Sequence, residues 1–134
     1  MIKYVRYVGL VIVFLWFFVG GIAHFTSTDF FVAIVPPWVP FPLEVVYVSG
    51  VFEVVLALLI GLPVTRTFAG SGLVLLTIAV TPANLHMWLN PDQFPETSET
   101  ALFARLLVQV FLLLLIWWTT RPTHESASIE EKSN

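Results

Sequence analysis

The sequence predicts an all-α protein: a bundle of four transmembrane helices with a lid, rich in proline and aromatic residues, between the first and second helices. Charged residues make up only 11% of the 134 residues, against about 25% in a soluble domain, and hydrophobic residues make up 57%. So few charges cannot cover the surface of a water-soluble globule. The apolar residues form continuous runs rather than alternating with polar ones, which favours helices over the strands of a barrel.

Each apolar run has the length of one membrane span. The runs cover residues 5–23, 45–62, 68–87 and 101–118. About 20 residues at about 1.5 Å each cross a hydrocarbon core of about 30 Å. The four runs form a single domain over residues 1–120. Residues 121–134 contain too little apolar surface to pack, and they are predicted to be a disordered cytoplasmic tail.

The connection between the first two runs is predicted to be an interfacial lid over the outer ends of the helices. Thr28 or Asp29 can cap a short helix that ends at Ile34, because two prolines follow it closely. Trp38 and Phe41 suit the level of the lipid headgroups. The alternative is a connector that lies against the membrane and has no function of its own.

The later elements follow from turn and cap residues. A tight inner loop joins the second and third runs, and Pro82 predicts a kink near the outer end of the third. Residues 90–95 form a turn cluster. Ser98 or Thr97 can cap the fourth helix, with Glu99 near its positive end.

The basic residues predict the orientation in the membrane. Five of the six lie at one end of the bundle, namely Lys3, Arg6, Arg66, Arg121 and Lys132, whereas the loops at residues 24–44 and 88–100 contain neither Lys nor Arg. By the positive-inside rule both termini are cytoplasmic. Cleavage of the first run as a signal peptide is the alternative, but this run is longer than a usual signal sequence and no A-x-A site follows it. No basic stripe is present for nucleic acid.

Two ionisable residues lie inside the runs. Glu53 is near the centre of the second, where an unpaired carboxylate is costly. Arg105 and Gln109 are one turn apart in the fourth run and reach a similar depth. An Arg105–Glu53 ion pair or hydrogen-bond network is geometrically feasible, and its alternative role is only to fix the register of the helices. A packing seam of small residues shares the face of Glu53: Gly50, Ala57 and Gly61.

The polar residues of the spans are predicted to converge on a ligand-binding pocket in the outer half of the bundle, beneath the lid. Its members are His24, Ser49, Glu53, Asn84, Arg105 and Gln109, with His86 near the rim. Such a pocket suits a small amphipathic ligand. No H-x-x-x-H or E-x-x-H spacing is present, so no metal site is predicted. The chain has no cysteine, which excludes disulfides and thiol chemistry within it.

Several motifs of these spans carry a family resemblance. They are Gly-Ile-Ala-His-Phe at 21–25, Ile-Val-Pro-Pro-Trp-Val-Pro at 34–40, Ser-Gly-Val-Phe-Glu at 49–53, Pro-Ala-Asn-Leu-His-Met at 82–87, and Arg66, Arg105 and Gln109. Through these motifs, in order over residues 19–117, the sequence resembles the DoxX family of small bacterial membrane proteins. The resemblance implies a four-helix protein of the bacterial cytoplasmic (inner) membrane. It also implies relatives linked to quinone-coupled oxidation of sulfur compounds or to oxidant defence.

Three functions are compatible with these observations. The favoured one is an accessory or scaffold protein with no catalysis of its own, which works beside a membrane or redox partner protein or as a homo-oligomer. The alternative is a quinone-binding subunit of a membrane oxidoreductase. There Arg105, Gln109 or His24 would bind the quinone carbonyls and Glu53 would handle protons. The third is a pathway for protons or small molecules. No cofactor other than quinone is indicated, and no catalytic residue is assigned.

Overall fold

The computed structural model describes residues 1–122, which are helical apart from short connections and contain no strand. The helices are α1 (Ile2–Thr26), α2 (Thr28–Ile34), α3 (Pro42–Ile60), α4 (Arg66–Ala79), α5 (Thr81–Leu89) and α6 (Glu99–Thr120), with one 3-10 turn at Pro91–Gln93. Of the predicted tail, residues 123–134 lie outside the described residues.

Within the described residues, four helical stretches are long and apolar enough to cross a membrane. Three of them are α1, α3 and α6, and the fourth is the 24-residue stretch Arg66–Leu89, in which α4 and α5 follow each other. The predicted all-α fold of four spans is therefore confirmed. The helix ends differ from the predicted runs by a few residues: most helices extend beyond the apolar run, whereas α3 ends at Ile60, two residues before the end of the predicted run.

The four spans form a ring in which each helix packs against two neighbours. α1 packs against α3 and α6, and α4 also packs against α3 and α6. The two helices α3 and α6 therefore occupy opposite corners of the ring. At one end of the bundle α2 lies against α1, α3 and α5, and this end is called the lid end below.

α1 and α3 approach each other closely at two glycines. A Cβ atom added at Gly50 would lie 2.7 Å from Cβ of His24 and 3.1 Å from the carbonyl oxygen of Gly21. The first distance is shorter than real Cβ contacts and the second is tighter than most, so any larger residue at Gly50 requires the two helices to shift. Gly50 and Ala57 are buried, as the predicted packing seam requires, whereas Gly61 is an exposed residue beyond the end of α3. The seam therefore ends at Ala57.

The predicted kink is a full break between α4 and α5 at Val80. Pro82 has no N–H group for the helical bond to the carbonyl oxygen of Ile78, four residues earlier, whereas the carbonyl oxygen of Val80 accepts from the N–H groups of Ala83 at 3.1 Å and Asn84 at 3.4 Å. α5 therefore starts afresh with its own first turn.

The lid helix forms over Thr28–Ile34, but its predicted cap does not. Only Ser27 separates α1 from α2, so Thr28 is already inside the helix, and its hydroxyl donates back to the carbonyl oxygen of His24 at 2.8 Å. The cap of α6 is the predicted one, because Ser98 Oγ accepts from the N–H of Ala101 at 3.2 Å.

The opposite end of the bundle, called the basic end, carries Lys3, Arg6, Arg66 and Arg121. Arg6 Nη2 donates to the carbonyl oxygen of Thr119 at 3.1 Å, and Arg66 Nε donates to that of Ile60 at 3.0 Å. Both carbonyls are at the C-terminal ends of helices, where a positive charge is favourable. Between this end and the lid end lies an apolar core that includes Val13, Phe17, Leu56, Ala57, Ile60, Ala69, Leu73 and Ile116.

We expect Gly50→Val to destabilise the bundle by about 1 to 3 kcal/mol, because the new methyl groups meet His24 and the backbone of α1, which cannot move aside. Unfolding of the purified protein in mixed micelles, followed by circular dichroism, measures this loss. The matched control is Ala104→Val, at an exposed position of α6. Equal stability of the two variants would contradict the close approach of α1 and α3.

Candidate functional site at the lid end

A network of side-chain hydrogen bonds joins α5 to α6. Asn84 Nδ2 donates to Gln109 Oε1 at 2.6 Å, and Gln109 Nε2 donates to the hydroxyl of Thr81. That hydroxyl donates in turn to the carbonyl oxygen of Thr77 at 3.1 Å. Arg105 Nη2 donates to Asn84 Oδ1 at 3.3 Å. We call Thr81, Asn84, Arg105 and Gln109 the amide network.

The spacing along α5 explains why the amide network can form. Thr81 is the first residue of α5 and Asn84 follows three residues later, so both side chains lie on the face of the helix that meets α6. Gln109 is buried, with 8% of its surface exposed. A buried amide in an apolar surrounding is costly unless its donors and acceptor are bonded, and here its oxygen and its nitrogen both have partners.

A second polar group joins α1 to α3. His24 and Glu53 are both buried, and His24 Nε2 lies 3.8 Å from Glu53 Oε1. The other ring nitrogen, Nδ1, is 2.9 Å from the carbonyl oxygen of Gly20. A carbonyl only accepts, so Nδ1 carries a hydrogen and Nε2 faces the carboxyl group. We call these two residues the His–Glu pair.

The His–Glu pair can hold one proton in either of two places. With the proton on the carboxyl group both side chains are neutral, and with the proton on Nε2 they form an ion pair. The separation of 3.8 Å is longer than a direct hydrogen bond. Phe31 of the lid helix stacks on the His24 ring with 3.9 Å between the ring centroids, so the lid covers the pair.

The predicted Arg105–Glu53 pair is not formed among residues 1–122. Glu53 contacts His24 and Arg105 contacts Asn84. The physical reason is the ring order: α3 and α6 occupy opposite corners, and each of the two side chains meets a group on an adjacent helix instead.

The other two predicted site residues bond within their own segments. Ser49 Oγ donates to the carbonyl oxygen of Val46 at 2.9 Å, one turn earlier in α3. His86 Nδ1 lies 3.1 Å from Asn90 Nδ2, and its ring meets Phe94 edge-on with 6.3 Å between centroids. Neither residue joins the amide network or the His–Glu pair. Of the seven predicted site residues, five therefore belong to the amide network or to the His–Glu pair, and the other two, Ser49 and His86, belong to neither.

Sequence reasoning left Thr81 and Gly20 out of the site. Thr81 is three residues before Asn84, so both lie on one helical face, and this spacing could have included it. Gly20 precedes His24 by four residues. At this spacing a backbone carbonyl comes within reach of a side chain one turn later, but a glycine gives no signal that its carbonyl will be used.

Arg105 retains unused hydrogen-bonding capacity beneath the lid. Its Nε atom is buried and has no hydrogen-bond partner among residues 1–122. Its guanidinium carbon lies 6.0 Å from the centroid of Phe30 on the lid helix, within range of a cation–π contact. Phe30 also lines a shallow cleft of about 250 Å³ with residues 26–29. Within the described chain, no three His, Asp or Glu side chains are grouped as metal ligands.

Four apolar helices with polar groups bonded to each other inside the bundle fit a multi-pass membrane protein. The profile of a family described as a domain of unknown function, DUF8561, matches residues 13–120. Since the match covers most of the chain, this protein belongs to that family. Comparisons with curated proteins and with solved structures gave no match. The matched range contains every member of the amide network and of the His–Glu pair.

We expect Asn84→Leu and Gln109→Leu each to lower the free energy of unfolding, and the double variant to lose less than the sum of the two. The reason is that each single change leaves a partner unpaired in an apolar surrounding. For an interhelical hydrogen bond in a membrane protein we expect a coupling free energy between the two substitutions of about 0.6 to 1.7 kcal/mol. It is measured by unfolding in mixed micelles. Ser49→Ala combined with Gln109→Leu is the control and should be additive, because Ser49 bonds only within α3. Additive losses at Asn84 and Gln109 would argue against the network.

Proposed function

We propose that this chain is a DoxX-like multi-pass protein of the bacterial cytoplasmic membrane that serves as an accessory or scaffold protein and catalyses no reaction of its own. The observation that supports this role is the mutual bonding of three members of the amide network, Thr81, Asn84 and Gln109. Asn84 and Gln109 bond to each other, and Thr81 bonds to Gln109 and to the backbone. Bonds of this kind hold helices in register.

The proposed orientation places both termini in the cytoplasm. Lys3, Arg6, Arg66 and Arg121 all lie at the basic end, and the lid end of residues 1–122 has no Lys or Arg on its loops. The positive-inside rule assigns the basic end to the cytoplasm. The lid, with Trp38 and Phe41 exposed, would then lie at the outer surface, where aromatic rings suit the headgroup level. The proposed partners are a membrane or redox protein, or a second copy of the chain.

A quinone-binding role is the second candidate, and the unused capacity of two groups favours it. Arg105 Nε is buried without a partner, and the two members of the His–Glu pair stand further apart than a hydrogen bond. A quinone carbonyl would accept from Arg105, with Phe30 and Phe31 of the lid beside the ring. Reduction of a quinone consumes two electrons and two protons. The His–Glu pair would pass protons, and a redox partner protein would supply the electrons.

A pathway for protons or small molecules has less support. Beyond Glu53 towards the basic end, the interior of the described chain is filled by the apolar core, with Ala57, Leu73 and Ile116 fully buried. A route for ions or protons requires polar side chains or water along its length. The polar groups of the lid end do not continue through this layer.

The quinone content of the isolated protein distinguishes the two leading roles. The protein is extracted with its surrounding lipid in polymer-bounded patches. Chromatography then measures the amount of quinone per protein in the patches, and this amount is compared with the quinone per lipid in the source membrane. The scaffold role predicts no enrichment, and the same value for the wild type, Arg105→Gln and the control Ser49→Ala.

A several-fold enrichment in the wild type and in Ser49→Ala that is lost in Arg105→Gln would overturn the scaffold role in favour of quinone binding. Thermal unfolding of each variant in the same patches shows whether the fold is intact. Proteins extracted together with the chain are identified in the same samples. The scaffold role predicts one membrane protein at a constant ratio to the chain.

A further inference from the structure

A groove at the basic end runs between α1 and the C-terminal end of α3. Its volume is about 220 Å³, and its lining includes Tyr7, Val11 and Phe14 of α1 together with Ile60, Gly61 and Arg66. This volume is below the roughly 300 to 1,000 Å³ of pockets that enclose drug-sized ligands. The groove therefore suits part of a long, thin apolar group rather than a compact molecule.

The groove follows the direction of a lipid chain in the membrane. Tyr7 and Phe14 are seven residues apart on α1, so the apolar wall extends for about 10 Å along the helix. It begins near the basic end and leads towards the bilayer centre. Because α1 is a membrane span, the open side of this wall faces acyl chains rather than water.

Arg66 supplies a positive charge that is held in place at the mouth of the groove. Its Nε donates to the carbonyl oxygen of Ile60 at 3.0 Å, and its Nη2 donates to that of Gly61 at 3.4 Å. Within residues 1–122 no group accepts a hydrogen bond from Nη1. The guanidinium group is thus oriented in advance, with one nitrogen left for a phosphate oxygen.

Among residues 1–122, the charged side chains at this end are all basic. Arg6 and Arg121 lie at the same end, and every Asp and Glu of residues 1–122 lies between residues 29 and 99, at the lid end or, for Glu53, within the bundle. Arg6 bonds to carbonyl oxygens at the end of α6, and Arg121 bonds to Ser71. Arg66 is therefore the cation at the groove, while Arg6 and Arg121 add to the positive electrostatic potential of this end.

From this charge complementarity we propose that the groove binds one anionic phospholipid of the leaflet at the basic end. The phosphate lies on Arg66, and one acyl chain lies along Val11 and Phe14. This site is independent of the polar groups at the lid end and of the function proposed for them. A zwitterionic lipid fits the apolar wall equally well, but it lacks the net negative charge that the basic end selects.

Native mass spectrometry of the purified full chain tests this proposal. The protein is mixed with equal amounts of phosphatidylglycerol and phosphatidylcholine that carry the same acyl chains, and the ratio of the two bound lipids is measured. We expect the wild type to prefer phosphatidylglycerol. Arg66→Gln should reduce that preference about fivefold, the effect of one basic side chain at an anionic surface. Arg66→Lys should retain part of it.

Two further variants distinguish lipid binding in the groove from general electrostatic attraction to the basic end. Lys3→Gln removes the same charge from the same end outside the groove, and we expect it to change the preference less than twofold. Val11→Trp fills the apolar wall without touching a charge, and it should weaken binding of both lipids. The proposal is overturned if the wild type shows no preference, if Lys3→Gln acts as strongly as Arg66→Gln, or if Val11→Trp leaves phosphatidylglycerol binding unchanged. The last result is decisive even if Arg66→Gln unfolds the end of α3.

Discussion

The hydrocarbon core of a membrane offers no water to a polar side chain, so each polar group inside a span must find its partner within the protein. The arrangement of the lid end follows from this constraint. Asn84 and Gln109 bond to each other across two helices. Thr81 completes the network because its hydroxyl both accepts from Gln109 and donates to the backbone.

The His–Glu pair depends on a second constraint, the close packing of α1 and α3. Gly21 and Gly50 let the two backbones approach, which places His24 beside Glu53. The lid helix then lies over both polar groups, since Phe31 stacks on His24 and Phe30 faces Arg105. The two groups differ in one respect that bears on function. The amides of the network are bonded to each other, whereas His24 and Glu53 stand 3.8 Å apart, beyond a direct hydrogen bond.

Much of the fold could be predicted from the sequence because it depends on local properties. The length of the apolar runs predicts the spans, Pro82 predicts the break, and Ser98 predicts the cap of α6. The depth of each polar residue also follows from its position along its helix. The depth of a residue in the membrane does not show which helices are neighbours in the ring. For this reason the predicted pairing of Glu53 with Arg105 failed. Four antiparallel spans can be arranged around a ring in more than one order. The close contact between α1 and α3 at their glycines favours the observed order, but this contact is visible only in the structure.

The order of the helices around the ring determines which polar groups meet. Pairs of introduced cysteines test this order most directly, because the natural chain has no cysteine. Three double-cysteine variants, at positions 84 and 109, 20 and 53, and 53 and 105, are treated in membranes with a short bifunctional thiol reagent. Intramolecular cross-linking is read by mass spectrometry after proteolysis. The structure predicts efficient links for 84 with 109 and for 20 with 53, and none for 53 with 105. A link between 53 and 105 as efficient as the other two would contradict it.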